Sequence, residues 1–320
     1  MRTRFCDLLG IMHPIVQAGM AREYTSPELV AAVSAAGGLG ILGCYGRPAD
    51  EAVAAIRRIR ALTDRPFGVN IVLHVPHEET FAACLAEHVP VFSFFRGDPA
   101  PAVARAHAAG ALTLHQITTI AEAEQACAAA ADVIVAQGHE AGGHMGPHSL
   151  WSFLPSVIAL AGERPVLAAG GIVDGHGLAA ALSLGASGAL MGTRFLATVE
   201  CPASDGYKHA LVAATDTPDA TIADSLFDIL WGVDWPGIQV RSLRNALTER
   251  WAGRESELRA ARDEVNAQIH QAETVDDPEG YAVLAGMGVG RIHDICPAGD
   301  LVRAIAGESE HILRALANRS

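Results

Sequence analysis

The stretch Gln137-Gly138-His139-Glu140-Ala141-Gly142-Gly143-His144-Met145-Gly146 holds the residue best suited to moving a proton. Histidine is the usual general acid or base near neutral pH. Glycines on either side of His144 give a backbone that can lie against a flat ligand. Such a loop would leave His144 exposed at a rim. The same stretch offers a competing chemistry, a metal held by His139, His144 and His148. His139-Glu140 begins like the zinc-binding H-E-x-x-H pattern, but the next histidine comes one position too late and the glycines oppose a helix. No metal is expected.

Two glycine turns form the second constellation. Ala168-Ala169-Gly170-Gly171-Ile172 and Met191-Gly192-Thr193-Arg194 each follow a short apolar run. Without a Cβ, a backbone N–H can approach a phosphate oxygen closely. A helix opened by Gly192-Thr193 adds unpaired N–H donors and a partial positive charge. Either turn alone is an ordinary βα connection. Together they predict a phosphate-bearing cofactor. Asn70, in Gly68-Val69-Asn70, is a polar residue at the end of an apolar run, so it either caps a turn or bonds a polar ligand.

These residues need a scaffold that gathers them. Apolar runs at Pro14–Ala18, Leu39–Leu42, Phe67–Ile71, Val89–Phe94, Ala111–His115, Asp132–Ala136, Pro165–Ala169 and Ser187–Met191 recur at the spacing of a βα unit. They are nearly continuous rather than alternating, as in parallel strands buried on both faces. Helical patterns lie between them. Ser26 caps one with Pro27 at its first position, Pro48–Ala61 keeps its arginines on one face, Thr119 caps a helix running to Ala131, and another spans Asp174–Leu184. The fold class is therefore α/β, a (β/α)8 TIM barrel, with an appended C-terminal helical region. The barrel is expected over residues 1–200, a helical cap or insertion over 201–285, and a segment returning to the barrel over 286–320. Helices are expected at Asp205–Ala214, Arg241–Arg254, Glu255–Glu273 and Ala298–Ala317. Such a barrel gathers active-site groups at the C-terminal ends of its strands. That selects Gly19, Met20, Asn70, Gln116, the Gln137–Gly146 loop, Gly170, Gly171, Gly192 and Thr193.

Composition narrows the partners. Of 320 residues, 50% are hydrophobic and 18% charged, enough for a large core. A net charge of −13 with no Lys/Arg-rich run speaks against nucleic acid. The cysteines at 6, 44, 84, 127, 201 and 296 form no C-x-x-C pair, as in a reducing cytoplasm. The first ten residues lack the apolar segment of a signal peptide. Leu29–Cys44 is too short and glycine-rich to span a membrane, so no membrane association is expected.

Taken together, Pro14–Met20, Gly37-Gly38-Leu39-Gly40, Gly68-Val69-Asn70, Gln137–His144, Ala169–Ile172 and Met191–Phe195 resemble the nitronate monooxygenase family, formerly the 2-nitropropane dioxygenases. Gly288-Val289-Gly290 and Pro297-Ala298-Gly299-Asp300 resemble its C-terminal segment. The resemblance implies a flavoprotein holding FMN. Gly171 and Leu190-Met191-Gly192-Thr193 would hold the phosphate, and Gly170 and Gly143 would lie beside the cofactor. Asn70, Gln137 and Gly142 would contact the ribityl chain or ring. Ala18-Gly19-Met20 would lie under the isoalloxazine, Gln116 would face it, and His144 would be catalytic. It implies oxidation of alkyl nitronates with O2 to a carbonyl compound and nitrite. The family is also similar to flavin-dependent enoyl-acyl-carrier-protein reductases. Gln17-Ala18-Gly19-Met20 leans towards that pattern, so the alternative is an NAD(P)H-dependent reductase of a quinone or enoyl thioester. Either way the partners are small molecules, and the fold allows a homodimer.

Overall fold

The computed structural model describes residues 2–233, 235 and 237–318. Eight parallel strands close into a barrel: β1 (Ile15–Gln17), β2 (Leu39–Gly43), β3 (Phe67–Val72), β4 (Val91–Phe95), β5 (Leu112–Ile117), β6 (Val133–Gln137), then β8 (Val166–Ala169) and β9 (Gly188–Met191). β9 pairs back onto β1 with Gln17 opposite Met191. The eight predicted strands are thus present, displaced by a residue or two at their ends. The TIM-barrel expectation holds.

Helix α1 (Arg4–Leu9) precedes the barrel. The outer ring is α2 (Pro27–Ala35), α3 (Ala49–Leu62), α4 (Glu78–Ala86), α5 (Pro99–Ala108), α6 (Ile120–Ala128), α7 (Leu150–Ala161) and α8 (Gly175–Ser183). Their starts follow from cap chemistry. The Ser26 hydroxyl accepts from Leu29 N at 3.0 Å with Pro27 in the first turn, and Thr119 and Glu122 form a reciprocal capping box. A one-turn helix, α9 (Thr193–Leu196), follows β9 directly. Next come α10 (Asp205–Ala213), α11 (Leu226–Trp231), α12 (Ala246–Trp251), α13 (Glu255–Thr274) and α14 (Ala298–Ala317). α14 packs against α8 and α2, filling the ring position that would otherwise be open between them. No helix among the described residues is long and apolar enough to cross a membrane.

The lumen is filled from below. Phe5, Cys6 and Leu9 of α1 share one buried cluster with the inward residues Val16, Leu39, Ile41, Val91, Leu114, Val133, Val135 and Leu167. The Thr3 hydroxyl fixes this plug by donating to Ser187 O at 2.6 Å, just before β9. With the N-terminal end closed, the C-terminal end is left for a ligand.

The C-terminal region is mostly helical, as expected, with one departure. Residues 221–243 contain two strands, β10 (Thr221–Asp224) and β11 (Gln239–Leu243), so the helix expected over Arg241–Arg254 starts only at Ala246. β11 is the centre of a three-stranded antiparallel sheet of order β10-β11-β7. Its third strand, β7 (Gly143–Met145), is part of the glycine-rich loop after β6. Glycine is a poor strand former, so neither partner shows the ladder alone; pairing across about a hundred residues creates it. A second apolar cluster, built on Phe227, Leu230, Val240, Trp251 and Leu258, sits under this sheet.

Candidate active site

The C-terminal ends of the barrel strands open into a cavity of about 790 Å³. Most of the residues singled out from the sequence line it: Ala18, Gly19 and Met20 after β1, Asn70 on β3, Gln116 on β5, Gln137 on β6, Gly142 and Gly143 beyond it, Gly170 and Gly171 after β8, and Leu190 to Thr193 around the end of β9, whereas Gly138, His139, Glu140, Met145 and Gly146 of the histidine loop do not. His144 lines it too.

The glycine turns have the conformations their residue types allow. Gly170 and Gly171 have φ of +114° and +69°, a region a side chain disfavours. Gly19 is required for a different reason. A Cβ there would lie 2.3 Å from Cβ of Asn70 and 2.8 Å from Ile41, so the β1 turn could not rest on β3. Asn70 donates from Nδ2 to the Ser93 carbonyl and hydroxyl at 3.2 and 3.3 Å, which fixes its amide at the cavity wall. The Thr193 hydroxyl accepts from Gly286 N at 3.0 Å, and Met287 N donates to Glu140 O at 2.9 Å. The segment before α14 is thereby tied to both the phosphate-type turn and the histidine loop.

His144 is not the exposed rim residue the loop suggested. It sits on β7 opposite Val240, with its side chain 16% exposed. Its Nε2 donates to Asp228 Oδ1 at 2.7 Å, across from α11. The Trp235 ring stacks on the imidazole at 4.1 Å between centroids, and Trp231 lies at 6.2 Å. Behind it, Gln137 Nε2 donates to the His144 carbonyl at 3.1 Å. A carboxylate can only accept, so Asp228 keeps the proton on Nε2 and leaves Nδ1 as the basic nitrogen.

The three loop histidines go separate ways. His139 pairs through Nε2 with Arg241 Nη2 at 2.7 Å, and His148 stacks on Phe153. Glu140 accepts from Leu150 N and the Ser149 hydroxyl, at 2.9 and 2.7 Å, capping α7 rather than facing the cavity chemistry.

Asp228 escaped the sequence reading. Its signal was an acid inside Leu226-Phe227-Asp228-Ile229-Leu230-Trp231, a short apolar helix where an ionised group needs a partner. The aromatic residues lining the cavity, among them Phe95, Phe227, Trp231 and Trp235, were also missed, because they belong to separate elements.

Comparison with known proteins agrees with this geometry. A family model described as Nitronate monooxygenase matches residues 2–83 and 75–308. The chain is 40% identical over 253 residues to the (3aS,4S,5R,7aS)-5-hydroxy-7a-methyl-1-oxo-octahydro-1H-indene-4-carboxyl-CoA dehydrogenase of Mycobacterium tuberculosis, covering 78% of this chain and 68% of that one. It is also 40% identical over 253 residues to a nitronate monooxygenase of Paraburkholderia phytofirmans, covering 64% and 69%. Among solved structures, FabK from Thermotoga maritima superposes with a TM-score of 0.89 at 34% identity over 100% of both chains. With a barrel closed below, a glycine-cradled cavity above and these relatives, the chain is a flavin-dependent oxidoreductase of the nitronate monooxygenase family.

Proposed function

We propose that the protein binds FMN and oxidises nitronates, entering as such or formed in place from nitroalkanes, to a carbonyl compound and nitrite. The observation that carries this reading is the His144–Asp228 pair, 2.7 Å apart at the wall of the glycine-cradled cavity. The site suits a flavin nucleotide on its own evidence. Gln137 Oε1 is buried and has no hydrogen-bond partner among the described residues, so it calls for a donor such as a flavin N–H or ribityl hydroxyl. The Gly170-Gly171 and Gly192-Thr193 turns can bring backbone N–H groups to a phosphate. Bound FMN supplies the electron acceptor that links substrate to dioxygen.

The chain's own residues then handle the proton and the charge. With Nε2–H given to Asp228, Nδ1 of His144 takes the proton from the carbon bearing the nitro group. The imidazolium that results is held between Asp228 and the nitronate, and so stabilises both. Trp235 covers one face of the ring and fixes its plane. Net, that carbon gains one oxygen atom from dioxygen, its bond to nitrogen breaks and nitrite leaves, so one dioxygen serves two nitronates and no external reductant is consumed. Aerobic turnover of 2-nitropropane should release nitrite, and His144→Ala should lower the rate on neutral nitroalkane by about 10²–10⁴-fold. Nitrite release no faster than that of the variant rejects the proposal.

A second reading is favoured by the full-length likeness to FabK and by the dehydrogenase relative whose name denotes an acyl-CoA substrate. There NAD(P)H would reduce the flavin, and His144 would donate a proton to a quinone or enoyl thioester. Anaerobic mixing separates the two. Rapid bleaching of the flavin by NADH or NADPH supports reduction, whereas bleaching by nitronate alone supports oxidation.

A further inference from the structure

Gln137 uses one end of its side chain and leaves the other idle. It closes β6 opposite Ala169, the residue before the Gly170-Gly171 turn, and is 6% exposed. Its Nε2 donates to the His144 carbonyl at 3.1 Å. Its Oε1 is buried in a residue that lines the cavity, and it accepts from nothing among the described residues. A buried amide oxygen needs a donor, and the cavity is where one can come from.

The strand at the other end of that amide has few anchors of its own. β7 is three residues long, and it begins at Gly143 with φ +68°, where the backbone can pivot. Among the described residues, its other hydrogen bonds run to β11 and, through the His144 ring, to Asp228 on α11. Both partners belong to the appended region and not to the barrel. Gln137 therefore supplies the side-chain bond from a barrel strand to the strand that carries the proton-transfer group. An amide held at both ends has a fixed plane, and an accepting oxygen polarises its own N–H into a better donor. Held at one end only, the side chain keeps rotamer freedom, and the bond to His144 is weaker for it.

We propose that Gln137 is a positioning residue that couples cofactor occupancy to the placement of His144: its Oε1 accepts from the bound flavin nucleotide, and the amide so fixed holds β7 in place. The inference rests on the FMN reading above and is independent of which substrate reacts. The coupling has a use. His144 is set for proton transfer only when the group that takes the electrons is in the site, so a substrate is not deprotonated where it cannot be oxidised. It is also reciprocal: whatever cofactor binding adds to the order of β7, an ordered β7 adds to cofactor affinity.

The test is hydrogen–deuterium exchange of the full chain, with and without saturating FMN, in the parent and in Gln137→Met. That variant keeps the length of the side chain and removes donor and acceptor together. One neutral hydrogen bond shifts a local equilibrium by roughly two- to tenfold. FMN should slow exchange of the β7 amides in the parent, and the slowing should be smaller by about threefold or more in Gln137→Met. Protection that FMN gives by covering the loop survives in the variant, so the difference isolates the amide. The amides of Thr193–Leu196 should slow in both proteins, which reports bound cofactor, and those of α5 should not change, which reports a folded barrel. By reciprocity the variant should hold FMN about threefold more weakly or worse. A merely structural tie would loosen β7 equally with and without FMN; that result, or equal slowing of β7 in parent and variant, overturns the proposal. Should Gln137→Met not fold, Gln137→Asn, one methylene too short to span both partners, gives the same comparison. A parent in which FMN leaves Thr193–Leu196 unchanged overturns the cofactor reading itself, and this inference with it.

Discussion

Asp228 is the residue whose removal says most about His144. It lies on α11, outside the barrel strands, yet its carboxylate is what selects Nδ1 as the basic nitrogen. Asp228→Asn keeps the size and removes the obligate acceptor, so the imidazole can turn or change tautomer. We expect kcat/KM on nitroalkane to fall on the order of 10²-fold, with the ratio of flavin to protein unchanged. Loss of flavin in step with activity would show a purely structural role. Gly170 makes the opposite case. At φ +114° an alanine would be strained by roughly 1–3 kcal/mol, and the turn would change shape. Gly170→Ala should therefore purify with little flavin while the far-ultraviolet spectrum of the barrel persists. The two residues differ in legibility for a physical reason. A glycine turn announces its conformation through its residue type. Asp228 matters only through a partner 84 positions away, and its sole local sign is an acid among apolar neighbours.

Between residue and barrel, the decisive element is the small sheet that carries His144. β7 is three residues long, starts with Gly143 and is flanked by Gly142 and Gly146, so it owes its conformation to β11. Arg241, on β11 and buried, ties the pairing together: it donates to the His139 carbonyl at 3.2 Å, to Thr221 Oγ1 at 3.1 Å, and meets His139 Nε2 at 2.7 Å. Burial lowers the pKa of this guanidinium. Arg241→Met keeps most of the stem but leaves the His139 carbonyl and the Thr221 hydroxyl without their donor. We expect a stability loss of about 1–3 kcal/mol in urea titration. Activity should drop by more than flavin binding does, because β7 and not the glycine cradle is loosened. Equal losses of both would mean that the sheet serves the cofactor rather than the histidine. The barrel strands were readable because each is a continuous apolar run. β10 and β11 were not, since Arg241 and Ser242 on β11 suit a helix as well as a strand until β7 is laid beside them.

At the scale of the whole molecule, the barrel wall contains a titratable group that the site does not use. His115 lies on β5, 1% exposed, with Nδ1 unpartnered among the described residues. Burial pushes its pKa down from 6.5 to about 4, only partly opposed by the Glu122 and Asp98 carboxylates. As pH falls through 6.5 the unfolded chain takes up this proton, while the native barrel does not until about 4. The unfolded state therefore binds more protons across that window, and stability falls as pH falls. Above 6.5 the residue contributes nothing to the slope, and below about 4 the loss is complete. From pH 7 to pH 5 the difference amounts to about 2 kcal/mol. His115→Leu fills the same apolar space without a titrating nitrogen, so urea unfolding of this variant should lose about 2 kcal/mol less than the parent over the same interval. Parallel losses in the two proteins would mean that His115 takes its proton in the native barrel, and that the wall there is open to water.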